Sequence, residues 1–253
     1  MRKETISRWS TIVAKVTILV MFFFTIIQVN LLTKKVNESV KEVNISNIID
    51  SDVFVKGLFG LGAGTVIKKT DSEMYILTCH HVVEDIIQAN DMGFAIKATI
   101  GYTKKDSTNT LSGMVVYGAK VIKYDADVDL ALLKVNTIDN SLVAAPIAAV
   151  EPQKGDILYS VGSPLGLLRT ISTGILANKE DGYFIFDGTT TFGNSGGGLY
   201  NRKGELVGVP SNVTGYKTGL DKDGNETFVP ESGLGLSRDL MTLRSFLGDL
   251  LND

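Results

Sequence analysis

Gly193-Asn194-Ser195-Gly196-Gly197 stands between an apolar stretch ending at Phe186 and another beginning near Leu199. Glycines on both sides of a serine permit a strained turn that exposes the hydroxyl and brings backbone N–H groups towards one point. Such a loop can hold the oxygen of a tetrahedral intermediate, with the amides of Gly193 and Ser195 as its donors. A glycine-rich hairpin turn has the same composition, so the loop acquires meaning only from partners elsewhere in the chain.

Two segments offer those partners. Thr78-Cys79-His80-His81-Val82-Val83 follows the apolar run Tyr75 to Leu77, and Asp129-Leu130-Ala131-Leu132-Leu133 opens another. A hydroxyl is inert at neutral pH until a base takes its proton, and an imidazole titrates in the right range. The imidazole in turn needs a carboxylate on its other nitrogen to fix the tautomer. Taking His81, Asp129 and Ser195, the separations are 48 (129 − 81) and 66 (195 − 129) residues, which puts the first two in one half of the chain and the serine in the other. His80, Asp125 and Asp127 are neighbours of the same chemical types.

Around these segments the pattern is one of short apolar or alternating runs. They are Val53 to Leu58, Gly64 to Ile67, Tyr75 to Leu77, Phe94 to Ile100, Val115 to Val121 and Leu130 to Val135. A second set comprises Ile157 to Val161, Ile171 to Leu176, Tyr183 to Phe186, Gly198 to Tyr200 and Leu206 to Val209. Many short strands separated by turn residues predict an all-β fold. The pattern suits a sandwich or a barrel, and Pro146 and Glu151 to Gly155 mark a junction between two halves, over about residues 51–145 and 150–236, each about the size of one six-stranded antiparallel barrel. Leu240, Leu243, Phe246, Leu247 and Leu250 then predict an amphipathic helix over 237–251, capped by Ser237 and packed on the second barrel.

The chain of 253 residues carries a net charge of −3 with its acids and bases interleaved. That excludes the basic stripe of a nucleic-acid-binding protein. One cysteine, Cys79, rules out an intrachain disulfide and reads as a buried structural residue. The first ten residues are basic, and residues 11–32 enclose the apolar run Val16 to Ile27 without a small-residue cleavage site, which predicts an uncleaved membrane-spanning signal anchor. Residues 33–50 then read as a stalk, with Val36, Val40 and Val43 at helical spacing. Basic residues ahead of the span favour export of the remainder, the domain over 51–253, to the extracytoplasmic side.

From about Leu61 to Leu240 the chain resembles the trypsin-like serine peptidases, and among them the HtrA/Deg type. The glycine-rich Gly62 to Ile67, His81-Val82-Val83, Asp129 to Leu133, Gly155-Asp156-Ile157, Val161 to Gly166, Ser172 to Ile175 and Gly193 to Gly197 follow its pattern in order. The resemblance selects His81 over His80 and Asp129 over Asp125 and Asp127. It implies a chymotrypsin-like fold and a serine endopeptidase acting through an acyl-enzyme. It also implies polypeptide substrates, no cofactor or metal, and a possible trimer. Asn194 replaces the aspartate that pairs with a new N-terminus in digestive members, so activation by that route is not expected. The chain ends at Asp253, about one helix past the second barrel, and no PDZ domain is expected to regulate it in cis. A substrate pocket framed by Thr189, Val209, Pro210, Ser211 and Asn212 has no acid at its floor, which disfavours a basic P1 residue. The acidic run Asp221 to Glu226 lacks the length of a calcium loop and reads as a hairpin tip. The competing class is a catalytically silent peptide-binding module with the same fold.

Overall fold

The computed structural model describes residues 15, 17, 19–34, 45–105, 111–220, 222 and 226–251. Its contacts divide into two units, Met1–Glu42 and Val43–Asp253. In the first, residues 19–34 form helix α1, whose apolar side chains are exposed. Among the described residues no helix is long and apolar enough to cross a membrane. Residues 11–14, 16 and 18 of the expected span, and 35–44 of the expected stalk, lie outside the described residues.

Among the described residues of the second unit there are twelve strands, eleven at the short apolar runs and a twelfth, Glu226–Arg238, that no run had marked. β1 (Asp52–Lys56), β2 (Leu61–Lys69), β3 (Met74–Thr78), β4 (Ala98–Lys105), β5 (Leu111–Asp125) and β6 (Leu130–Val135) close one barrel in the order β1-β2-β3-β6-β5-β4. β7 (Ile157–Gly162), β8 (Thr170–Glu180), β9 (Tyr183–Asp187), β10 (Gly198–Tyr200), β11 (Leu206–Leu220) and β12 (Glu226–Arg238) close the other in the order β10-β11-β12-β9-β8-β7. All pairings within the barrels are antiparallel. Closure leaves no free sheet edge, and side chains facing inward from successive strands form the core. Val53, Val55, Val66, Met74, Ile76 and Leu133 fill the first barrel, and Leu158, Leu176, Phe184, Phe186, Leu199 and Val207 the second. β11 and β12 pair Leu220 with Glu226 and Tyr216 with Val229; residues 221 and 223–225 of the acidic run expected as a hairpin tip lie outside the described residues.

Three helices depart from the sequence reading. Helix α2 (Ile45–Asp50) buries Ile48 in the first-barrel core, where a stalk was expected. Helix α3 (His80–Asp91), which the sequence reading did not include, follows β3 directly and lays Val82, Val83, Ile86 and Ile87 on that core, so His80 begins a helix. Helix α4 (Leu240–Leu247) starts later than 237 because β12 stays paired with β9 through Arg238 and Tyr183. Its cap is therefore Asp239, whose carboxylate accepts from the Thr242 N–H at 2.8 Å, and Ser237 belongs to the strand. Only Leu240 joins the second-barrel cluster; Leu243, Phe246 and Leu247 pack into the first. Lys123 donates to the Phe246 carbonyl and Lys68 to that of Leu250 at 3.3 Å, which fastens the C-terminal segment to barrel one.

Candidate active site

The passage from β3 into α3 fixes the histidine. Thr78 Oγ1 donates to the Ala63 carbonyl at 2.7 Å, Cys79 is extended, and the helix begins at once. With its apolar face buried, α3 leaves His81 on the open side, where the side chain is 42% exposed. Asp129 is presented by a tight turn at the head of β6. Asp125 Oδ1 accepts from the N–H groups of Asp127 and Val128 at 3.0 and 3.2 Å, and Asp129 itself takes φ = 52°, the left-handed region that few non-glycine residues adopt. Its carboxylate accepts from the His81 backbone N–H at 3.0 Å and lies 2.9 Å (Oδ2) and 3.0 Å (Oδ1) from His81 Nδ1. One carboxylate thus orients both the ring and the backbone of the histidine. With Nδ1 turned to Asp129, Nε2 is the nitrogen that can accept a proton.

The serine comes from the other barrel. Gly193 has φ = +99° and Gly196 +86°, and a Cβ on either would meet backbone at 2.2 and 2.3 Å, Ser163 O and Ala63 O respectively. The amides around Ser195 are spoken for in turn: Asn194 N–H donates to Thr191 O at 3.1 Å, Gly196 N–H to Pro210 O at 2.8 Å and Gly197 N–H to Asn194 O at 3.0 Å. Among the described residues the Gly193 and Ser195 amides donate to no acceptor. The two donors expected of an oxyanion site are therefore the two that the loop leaves open. Ser195 Oγ donates to the Ser211 carbonyl at 3.3 Å, so proton transfer to His81 requires the hydroxyl to turn about χ1.

His81, Asp129, Gly193 and Ser195 line one cleft of about 830 Å³ between the barrels. Of the expected pocket residues, Pro210, Ser211 and Asn212 line it. Val209 does not: it is fully buried in the core, because β11 turns it inward before the irregularity between Pro210 and Asn212. Thr189 is exposed outside the cleft, and its carbonyl accepts from Ser172 Oγ and Asn194 Nδ2. Thr190, Thr191, Phe192 and Leu236 take the wall instead, with Leu61, His80 and Ala126 across from them. Proximity to Gly193 was the available sequence signal for Thr190 to Phe192.

Cys79, His81 and Asp129 offer ligand atoms within 4.8 Å of one another. The set suits a metal poorly. Burial pushes the Cys79 thiol well up, and the nearby Asp129 charge adds to this, so it stays protonated. It donates to Pro210 O at 3.3 Å, the same carbonyl that holds Gly196 N–H.

A family model described as a trypsin-like peptidase domain matches residues 62–209, over half the chain. The chain belongs to the trypsin-like peptidase family. Its similarities lie with the HtrA/Deg type of these serine proteases. It is 28% identical to serine endoprotease DegS of Escherichia coli over 76% of this chain and 49% of DegS. It is 32% identical to putative protease Do-like 14 of Arabidopsis thaliana over 59% of this chain and 34% of that protein. The chain thus spans about a third to a half of these relatives. A crystal structure of the serine endoprotease from Yersinia pestis superimposes with a TM-score of 0.60, covering 83% of this chain and 66% of that one at 23% identity, a likeness of fold.

Proposed function

We propose that this trypsin-like domain is a serine endopeptidase of polypeptides. Ser195 Oγ attacks the scissile carbonyl carbon while His81 Nε2 takes its proton; the tetrahedral oxyanion is held by the Gly193 and Ser195 amides. His81 then gives the proton to the leaving amine, leaving an acyl-enzyme that water hydrolyses by the same steps. Asp129 holds the ring and stabilises the imidazolium. The observation that carries this reading is the pair of unused amides beside Ser195, in the same cleft as the His81–Asp129 pair. The absence of an acid among the cleft residues Thr190, Thr191, Phe192, Pro210, Ser211 and Asn212 favours small or medium apolar P1 side chains.

Residues 11–32 are proposed as a membrane anchor on the strength of their apolar run and of the exposed apolar surface of α1, with the peptidase acting in maturation or quality control beside that membrane. Retention of the full chain in the carbonate-washed membrane pellet would support the anchor, and release would remove it. For the chemistry, purified full chain should degrade denatured casein and its Ser195→Ala variant should not. Equal degradation by both would assign the activity elsewhere, and binding of casein without cleavage by the parent would favour the silent peptide-binding module.

A further inference from the structure

A second groove of about 750 Å³ runs along barrel one between the C-terminal end of α3 and β5. The proposed catalysis makes no use of it. Its walls hold open apolar surface: Phe94 is 60% exposed, Tyr124 47% and Ile122 40%, with Ile96 half-buried. Lys97 and Lys120 flank the paired residues Ala98 and Ala119 on adjacent strands and both line the groove. Neither lysine has an ion-pair partner among the described residues, and the remaining lysine of the lining, Lys123, is committed to the Phe246 carbonyl and ring. Among the described residues of the lining Asp91 is the one acid, so three lysines against it leave a net charge of +2.

The groove neighbours the catalytic cleft. The ring of Tyr124, in its wall, lies 5.5 Å from that of His80, which lines the cleft beside His81. An extended chain leaving the cleft over His80 would next meet Tyr124. We propose that this groove is an exosite for the polypeptide substrate, docking a segment remote from the scissile bond that carries aromatic or aliphatic side chains together with carboxylates. Phe94, Ile122 and Tyr124 take the apolar side chains; Lys97 and Lys120 take the acids. The occupant is a peptide and not a flat anionic surface because the apolar residues line a concavity whose wall, at Tyr124, adjoins His80 of the cleft. The inference rests on the peptidase reading above.

The full-length Ser195→Ala chain tests it by fluorescence anisotropy with two labelled peptides of equal length, one composed of Phe, Leu and Glu and the other with Lys in place of Glu. The acidic peptide should bind about tenfold more tightly at low salt, an advantage that added salt reduces. Lys97→Glu with Lys120→Glu should abolish the preference, and Phe94→Ser should weaken binding of the acidic peptide. The same groove substitutions placed in the Ser195 parent should leave its fluorophosphonate labelling rate unchanged, since none touches the cleft. Equal affinity for the two peptides, or a preference that survives the double reversal, overturns the proposal. Binding of phosphatidylglycerol vesicles that the reversal removes, without a peptide preference, overturns it in favour of a membrane-facing surface. A parent that fluorophosphonate fails to label counts against the peptidase reading itself, and the exosite falls with it.

Discussion

Gly193 carries two requirements at one position. Its φ of +99° suits glycine, and an added Cβ would lie 2.2 Å from Ser163 O, which is backbone and cannot swing away. Gly193→Ala should therefore displace one of the two open amides and lower kcat by about 10²–10³ with little change in KM. A variant with parental kcat would show that this amide is not an oxyanion donor. Asp129→Asn tests the other half of the site. An amide in place of the carboxylate can donate to Nδ1 and leave the proton on Nε2, the wrong tautomer for a base, so kcat should fall by about 10⁴ while circular dichroism stays native. The serine loop and the Leu-Ala-Leu-Leu strand were legible in the sequence because their chemistry is local and carried by consecutive residues. Val209 was misplaced because its direction depends on an irregular β11–β12 register that no residue type announces.

At the scale of elements, the boundaries were harder to read than the elements. Val82 and Val83 are β-branched and follow a strand, so α3 was hidden until Ile86 and Ile87 were seen to continue the same face at helical spacing. The start of β1 holds a feature with no sequence signature. Asp52 is fully buried and neither carboxylate oxygen has a hydrogen-bond partner among the described residues. Burial raises its carboxyl well above the ordinary value, opposed by the charge of Arg169. Arg169 anchors the loop between β7 and β8 to barrel one, donating to Asp52 O at 3.3 Å and Thr103 O at 3.3 Å and lying 4.7 Å from the Tyr102 ring. That loop braces the oxyanion segment, through Ser163 N–H to Gly193 O at 3.2 Å and Leu165 N–H to Phe192 O at 2.8 Å. Because the folded state keeps a proton on Asp52 that the unfolded chain gives up near pH 4, this residue's contribution is fully present below that pH and is lost as pH rises towards the raised folded value. Asp52→Asn should flatten the fall in denaturant midpoint as pH rises above about 4. A slope unchanged from the parent would show that Asp52 is ionised in the folded protein.

On the scale of the whole molecule, the site exists only where the two barrels meet, and hydrogen bonds cross that seam around it. Ala63 N–H donates to Ser195 O at 2.8 Å, Cys79 Sγ to Pro210 O at 3.3 Å and Arg238 Nη2 to Asp127 O at 3.2 Å, while Ser51 Oγ and Tyr200 Oη lie 2.8 Å apart in the interior. These bonds join the two barrels within the unit Val43–Asp253. A chain of residues 43–253 should fold alone and melt within a few degrees of the full chain; loss of cooperative unfolding on removing residues 1–42 would contradict this. The barrels could be counted in the sequence, but the seam could not, because its bonds join residues more than a hundred positions apart and three of the four end on a backbone carbonyl, which no residue type announces. The central claim is that this seam activates Ser195. Intact-mass analysis of the purified full chain after treatment with a fluorophosphonate tests it most directly. The account predicts a single adduct on the parent and none on Ser195→Ala; a folded parent that gains no adduct, or a variant that still gains one, would contradict it.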